Sequence, residues 1–454
     1  MRIFPFLLEI DVTWKEFLSK KRNLLSKTKN LRGELTVARQ WLRQLISCTS
    51  KIYDLKQLIK LYEDSRIYPR IKPEVIGLCM LFGYLFRMPS LERLEYWIRC
   101  GVFRRLAKGQ QLPTVDTIRE SLRGADLSQL QLMNEQIIKK ARRNKVLRGG
   151  TIDGWVVSAI DGVELFESVK KSSQEALTRV IDGVTHYYYR FVGCMTIGME
   201  PRIVWGMEPL KVREGDSCQK DEGEITAAKR LVKQLYERFH HFTDILVCDA
   251  LYAKAPFINL VTSFNIDLII RMKDMRLDIV KDALGLFSKR KPDRVWTTKE
   301  KNQVIRVEAW EAYDMEMANV LVGIRFVRFV EHTQILRRGK VIKTETKEIL
   351  LVTTCQEEVK AESIWKMIHK RWDIENCLFH QLKTHCHMDH RFVDGLHAIT
   401  ACIYLQMVAF NLWQLYLFRY LRQYDQKKHP QVAVAERMRI ECEIDSMIPP
   451  LLSG

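Results

Sequence analysis

The sequence lacks the patterns of an extracellular protein. Its eleven cysteines include no Cys-x-x-Cys pair, and their odd number argues against a complete set of intramolecular disulfides. The first eight residues are apolar but too short for a signal sequence, and acidic Glu9 and Asp11 follow them. We find no internal repeat and no low-complexity tract. The cysteine pattern fits a reducing compartment best, and we expect a cytoplasmic protein.

Long hydrophobic runs are also scarce. A single run, residues 398–418, is long enough to resemble a membrane span, and it ends near Arg419 and Arg422. The run contains three amide side chains, Gln406, Asn411 and Gln414. No second span accompanies it. We therefore predict a buried core helix and no membrane partner, with membrane association as the alternative.

Acidic residues are outnumbered by basic ones. The chain has 73 Lys and Arg against 55 Asp and Glu, a net charge of +18 and a pI near 9.4. This excess favours a polyanionic partner such as nucleic acid, although an anionic membrane surface competes with it. Basic residues are dense over residues 15–43, where a solvated helix face explains them as well as DNA contact does.

Periodicity divides the chain into a helical start and a mixed remainder. Helical spacing is seen over 74–87, 91–100, 114–122 and 127–146, and Gly149 with Gly150 marks a boundary. Strands then follow at 155–161, 186–198 and 202–207, and Asp182-Gly183 signals a turn between the first two. A β/α alternation comes next, with a helix over 224–240, a strand over 245–249, a helix over 255–263 and a strand over 267–271.

This order predicts an α/β protein with a ribonuclease H-like (retroviral integrase-like) core. We divide the chain into a helical DNA-binding region (1–150), the first part of the core (151–289), a β-rich insertion (290–354), the last part of the core (355–422) and a polar, peripheral tail (423–454). The last part of the core would contain one helix over 359–383 and the apolar helix.

Residues 371–383 carry a carboxylate and two cations on one predicted helix. Arg371 and Glu375 are one turn apart, and Lys383 lies two turns further on, so this helix would present Arg and Lys to a negative partner. Trp372 is expected among its apolar supports. An ordinary surface ion pair explains Arg371 and Glu375 as well when they are taken alone.

Two further acids end apolar segments that we predict to be strands. Asp161 precedes Gly162, and Asp249 follows three apolar residues. Three carboxylates converging from different segments suffice for the two Mg²⁺ ions of phosphodiester chemistry, and Glu375 supplies the third. Asp153 rivals Asp161, and Asp373 is a weaker choice than Glu375. A simple Asp-Gly turn at Asp161 and a helix N-cap at Asp249 remain open.

Three ordered motifs carry a resemblance to a known family. They are residues 159–166 (AIDGVELF), 248–252 (CDALY) and 371–376 (RWDIEN) continuing to Leu382-Lys383. The sequence resembles DDE transposases of prokaryotic insertion sequences, specifically the cut-and-paste group with a Tyr-Arg-Glu-Lys signature and a β-rich insertion before the last acid. The resemblance extends from about residue 74 to about residue 415.

The resemblance implies a metal-dependent enzyme that cleaves insertion-sequence ends and joins them to target DNA. Asp161, Asp249 and Glu375 would be catalytic and bind two Mg²⁺ or Mn²⁺ ions, while Arg371 and Lys383 would contact the DNA. The partners would be double-stranded DNA, as terminal inverted repeats and target, and a second copy in a homodimer on that DNA. The protein would then be nucleoid-associated in a prokaryotic cytoplasm.

The sequence departs from this pattern at two places. The position of the signature tyrosine holds Ile368, and Lys383 is eight rather than seven positions after Glu375. A metal-dependent nuclease or an inactive DNA-binding remnant is therefore the alternative function.

Two other groups of residues invite functional readings. Trp296 or Trp310 of the insertion could stabilise a flipped base, although a core position is favoured for either. The histidines and cysteines of residues 377–397 fit no familiar zinc spacing, and we predict roles in the fold or in DNA contact for them.

Overall fold

The computed structural model describes residues 29–103, 107, 110–170, 173–213, 215, 220–421 and 424–447. Residues 15–28 of the basic run over 15–43 lie outside the described residues, as do the last seven residues. Within the described part the chain is a mixed α/β structure with one large sheet and helices around it.

The first part of the described chain is helical. It forms α1 (Lys29–Lys51), α2 (Leu55–Lys60), α3 (Pro73–Leu85), α4 (Leu91–Arg99), α5 (Val115–Arg123) and α6 (Leu127–Arg143). The caps explain the starts: Pro73 opens α3, and the side chains of Ser90, Thr114 and Asp126 accept backbone N–H groups of α4, α5 and α6. The four helices predicted in this region are confirmed.

The sheet begins with β1 (Val157–Ser168), β2 (Leu177–Ile181), β3 (Val184–Thr196) and β4 (Val204–Pro209). β3 pairs antiparallel with all three of the others. The predicted turn at Asp182-Gly183 is present between β1 and β3, and it joins β3 to the intervening strand β2. The short strand β2 was missed.

The β/α alternation follows as predicted. It consists of α7 (Glu224–Phe239), β5 (Ile245–Cys248), a 3₁₀ turn (Ala250–Tyr252), α8 (Ala255–Thr262) and β6 (Asp267–Met272), and an unpredicted helix, α9 (Asp278–Phe287), comes next. β1, β5 and β6 are mutually parallel neighbours in the sheet. Their carboxyl ends therefore lie at one edge, which is where sites in such sheets form.

The β-rich segment continues the same sheet. Its strands are β7 (Arg294–Glu300), β8 (Gln303–Met315), β9 (Ile324–Arg337) and β10 (Lys340–Thr353). Residues 350–353 of β10 pair antiparallel with β6, so the strand order is β2-β3-β1-β5-β6-β10-β9-β8-β7, with β4 on β3.

The predicted helix over 359–383 is interrupted. It consists of α10 (Ala361–Lys370), a π-helical turn (Ile374–Phe379) and α11 (His380–His385). Trp372, expected to support it, is 50% exposed, because it lies in the break between α10 and the π-helical turn.

The apolar run forms α12 (Leu396–Leu415), which continues in a π-helical turn (Tyr416–Tyr420). This is the one helix in the described residues that is long and apolar enough to cross a membrane, and 89% of its apolar window is buried inside the protein. It packs on α3, α6 and β4. The prediction of a core helix is confirmed.

The tail contains α13 (Gln431–Met447), which packs against α1. Val434, Ala435 and Met438 of α13 are buried. The expectation of a peripheral tail is wrong for this stretch, because its apolar side chains share one face of a helix and close over α1.

Candidate active site

Asp161 lies in the middle of β1, not at the end of a strand as predicted. β3 keeps pairing with β1 through Ser168, whereas the parallel neighbour β5 pairs only with residues 157–159. Continuing that register places Asp161 level with Asp249, which directly follows β5. Neighbouring strands are about 4.8 Å apart, so the sheet brings these two acids to one edge from positions 88 residues apart in sequence.

Arg371 connects Asp161 to Glu375. Its Nη1 donates to Asp161 Oδ2 at 2.7 Å, and its Nη2 donates to Glu375 Oε1 at 3.0 Å. The Arg371 side chain is only 9% exposed, against 17% for Asp161 and 33% for Glu375. The i,i+4 pair predicted from sequence is present. However, it is directed inward to β1 rather than presented outward.

The charges at this point are interdependent. Although burial lowers the pKa of Arg371, the carboxylates of Asp161 and Glu375 raise it above its ordinary value. Burial raises the pKa of Glu375, with Arg371 opposing and the charge of Asp161 adding to the rise. The arrangement is thus two neighbouring carboxylates that need a cation, with one guanidinium supplying it.

Asp249 faces its own 3₁₀ turn in this state. Its Oδ1 accepts the Leu251 N–H at 2.8 Å, which is the capping role that the sequence left open. In the described residues, no group of three or more His, Cys, Asp or Glu side chains is close enough to hold a metal ion as it stands.

Glu224 is a fourth acid at this edge, and sequence reasoning missed it. It is the first residue of α7, its side chain is 4% exposed, it is paired with Arg190, and its Oε1 accepts the Tyr252 hydroxyl at 2.7 Å. Burial raises the pKa of Glu224, and the charges of Asp161 and Asp249 contribute to the rise. Tyr252 belongs to the motif around Asp249, so this bond joins α7 to that motif.

Gly162 makes room for Glu224. A Cβ atom at Gly162 would lie 2.2 Å from Glu224 Oε2, closer than any contact permits. The glycine after Asp161 is therefore explained by the approach of a carboxylate, and not by a turn. The available sequence signal was a Gly-Glu pair opening an amphipathic helix, but nothing local indicates what that glutamate contacts.

The remaining candidates have structural partners. Lys383 donates to the Glu164 carbonyl at 2.8 Å and lies 3.6 Å from Asp389 Oδ1, with its side chain 32% exposed. The two rival acids have partners elsewhere: Asp153 accepts from Lys366 and Ser363, and Asp373 accepts from Gly198 N–H and Arg202.

The aromatic and histidine candidates divide between core and surface. Trp310 is buried and donates to the Arg290 carbonyl at 2.8 Å, whereas Trp296 is partly buried, edge-on to Phe329 and Trp365. His397 bonds the Ala125 carbonyl at 2.7 Å. These contacts give both tryptophans packing partners and tie His397 to the loop between α5 and α6.

One known family model matches part of this chain. Residues 215–412 match the family model described as a transposase DDE domain. The match contains Asp249, Arg371, Glu375 and Lys383, and it begins after Asp161. A search of curated proteins gives no match. Over these residues the chain is similar to a transposase DDE domain, which supports a DDE transposase.

Proposed function

We propose that this protein cleaves the ends of an insertion sequence and joins the freed 3′ hydroxyls to target DNA. The observation that carries the proposal is the contact of Arg371 with both Asp161 and Glu375 at the sheet edge where β5 ends in Asp249. The transposase family supports DNA cleavage as the activity. The strand order, with antiparallel β1–β3 followed by parallel β5 and β6, supports a ribonuclease H-like core.

The carboxylates fit divalent cations in their chemistry. Mg²⁺ and Mn²⁺ prefer carboxylate oxygens, and Asp161 with Glu375 already shares one cationic partner. We propose that Asp161, Asp249 and Glu375 hold two such ions after Arg371 withdraws and Asp249 releases the Leu251 N–H. Once bound, the ions would stabilise charge on the phosphate and on the attacking and leaving oxygens.

The chain's own residues would position the DNA. Arg371 is the cation nearest the carboxylates, so a scissile phosphate entering the site offers it a replacement partner with bidentate geometry. The Lys383 side chain is partly exposed. Lys383 would bind the DNA backbone further along the same helical segment. Water would be the first nucleophile and a DNA 3′ hydroxyl the later one.

The substrate determines the proposed partners. Terminal inverted repeats and target sites are both double-stranded DNA, and the net charge of +18 supports their binding. Two ends must be brought together, so we propose a homodimer on the DNA. The location would be the prokaryotic cytoplasm, at the nucleoid.

The test is a gel assay on DNA that carries the element's own ends, in Mg²⁺ or Mn²⁺. Wild type is expected to cleave at the ends and to join them to target DNA. Glu375→Gln should bind the same DNA without cleaving it, and Glu358→Gln, at an exposed acid near Asp267 at the start of β6, should behave as wild type. Cleavage of the ends without joining would indicate a metal-dependent nuclease. Binding without cleavage by the wild type would indicate an inactive remnant.

A further inference from the structure

Arg87 is a buried cation that has no counter-charge among the described residues. It follows α3 with φ of 59° and is only 9% exposed. Its guanidinium has no hydrogen bond or ion pair to any described residue, and Nη1 is buried without a partner. Among the described residues, its charge lies near the Trp413 ring, whose centroid is 6.0 Å away, and interacts with Cys386 and Tyr424. Such a group is costly to bury unless something negative meets it.

A cavity of about 210 Å³ opens beside Arg87. It is far larger than the ~10–15 Å³ that one water needs, so a group of several heavy atoms fits it. Arg87, His385, His387 and Arg439 line it, together with Thr384, Phe86, Val432 and a single acid, Glu436. The Glu436 side chain is 58% exposed, and Arg439 lies 4.0 Å from it.

The lining is electropositive and rich in donors. Burial lowers the pKa of His385, and the charge of Arg87 lowers it further. Burial also lowers the pKa of His387, with His390, Arg439 and Arg87 acting in the same direction. Neutral imidazoles and two guanidinium groups together offer several N–H donors to an anion.

A water molecule alone does not resolve the position of Arg87. A second cavity of about 20 Å³, also lined by Arg87, would admit one water next to Gln406 and Trp413. Such a water could accept from Nη1, but it would leave the charge uncompensated. A phosphate group would both accept a hydrogen bond from Nη1 and compensate the charge of Arg87.

We propose that Arg87, His385, His387 and Arg439 form a phosphate-binding pocket that anchors the DNA backbone away from the cleavage site. His385 is ten residues after Glu375 on the same helical segment, a distance of roughly 15 Å at 1.5 Å per residue. At 3.4 Å per base pair this corresponds to about four base pairs along a duplex. The DNA source of the phosphate rests on the proposed function, whereas the pocket itself does not.

The first experiment uses inorganic phosphate as the probe. Thermal unfolding is measured for the full chain in potassium phosphate and in potassium chloride of equal ionic strength. Phosphate should raise the midpoint of wild type and of Arg276→Gln, a control at an 89% exposed arginine, but not that of Arg87→Gln. The double variant His385→Ala/His387→Ala should also lose the response, and it provides the test if Arg87→Gln does not fold. An equal response in all variants would overturn the pocket.

The second experiment distinguishes DNA from free phosphate. Fluorescence anisotropy on duplex DNA should show Arg87→Gln binding roughly 10-fold more weakly than wild type, as expected for one charge-assisted contact. The slope of log K against log[salt] should become shallower by about one. A lost phosphate response with unchanged DNA binding would overturn the DNA anchor and leave a site for free phosphate. A wild type that binds phosphate through Arg87 but cleaves no DNA would refute only the proposed function.

Discussion

At the scale of single residues, the site depends on how Arg371 is shared. One guanidinium compensates Asp161 and Glu375 at the same time, and it is the most buried of the three side chains. Loss of Arg371 would leave two like charges next to each other. A substitution there therefore tests both the stability of the site and its affinity for cations.

We expect Arg371→Gln to lower the free energy of unfolding by about 1–3 kcal/mol, which is below the 3–5 kcal/mol for a fully buried pair because Glu375 is one-third exposed. Mg²⁺ should raise the thermal midpoint of this variant more than that of wild type, since the ion then has no cation to displace. Unfolding with and without Mg²⁺ checks both. Equal responses to Mg²⁺ would contradict competition between Arg371 and the metal.

Glu224 gives a prediction for pH. Burial raises its folded-state pKa, so between the unfolded value of about 4.5 and the raised value the folded protein binds more protons than the unfolded chain. The contribution of Glu224 to stability therefore falls as the pH rises through this window. Relative to wild type, Glu224→Gln should be more stable at pH 7 than at pH 4.

Urea unfolding of both proteins at these two pH values measures the difference. Asp278→Asn, at an acid whose side chain is 93% exposed, is the control and should show no such trend. If the stability difference between Glu224→Gln and wild type does not change with pH, the pKa of Glu224 is not raised in the folded protein.

At the scale of elements, the local hydrophobic pattern predicted the positions of most helices and strands correctly. It did not predict which partners their side chains contact. The apolar residues before Asp161 looked like a complete strand, whereas β1 continues to Ser168 because β3 pairs along its whole length. The helix over 359–383 looked continuous, yet it breaks at 371–372 without a Gly or Pro, and the π-helical turn that follows packs against β1 and β3. Sequence periodicity contains no information on such partners.

One buried amide joins three elements and can be tested. The Asn411 side chain of α12 accepts the Val204 N–H at 2.8 Å and donates to the Val204 carbonyl and to Asn134 of α6. Asn411→Leu would leave the Val204 N–H of β4 unpaired, at a cost of about 1–3 kcal/mol. Chemical denaturation measures this loss of stability. The control is Asn144→Ala, at an exposed helix end, which should change stability by less than about 0.5 kcal/mol. A similar small effect at Asn411 would mean that the network contributes little.

At the scale of the whole molecule, charge and burial act together. The chain carries a net charge of +18, and α12, the one long apolar helix of the described residues, is buried in the core. The positive charge is therefore the feature available to a large partner. Binding to duplex DNA should therefore weaken steeply with salt, with a log–log slope of about −0.9 for each phosphate neutralised.

Titrations of one duplex at several KCl concentrations give this slope. Vesicles of anionic lipid are the control, because a protein whose apolar helix is buried should bind them only electrostatically and release them fully at high salt. Salt-resistant vesicle binding would show that α12 leaves the core. A DNA affinity independent of salt would contradict phosphate contacts as the main source of binding.

The α/β order, the buried α12, the basic character and the residues of the DDE resemblance could all be predicted from sequence, because periodicity, composition and short motifs are local properties. Contacts between distant segments turn Arg371 inward to Asp161, let Asp249 cap its own turn and bring Glu224 to the same edge. They also bury Arg87 beside two histidines 298 and 300 positions away. The physical reason is that partner choice and desolvation depend on strand register and on helix packing across long sequence separations, which no single segment encodes.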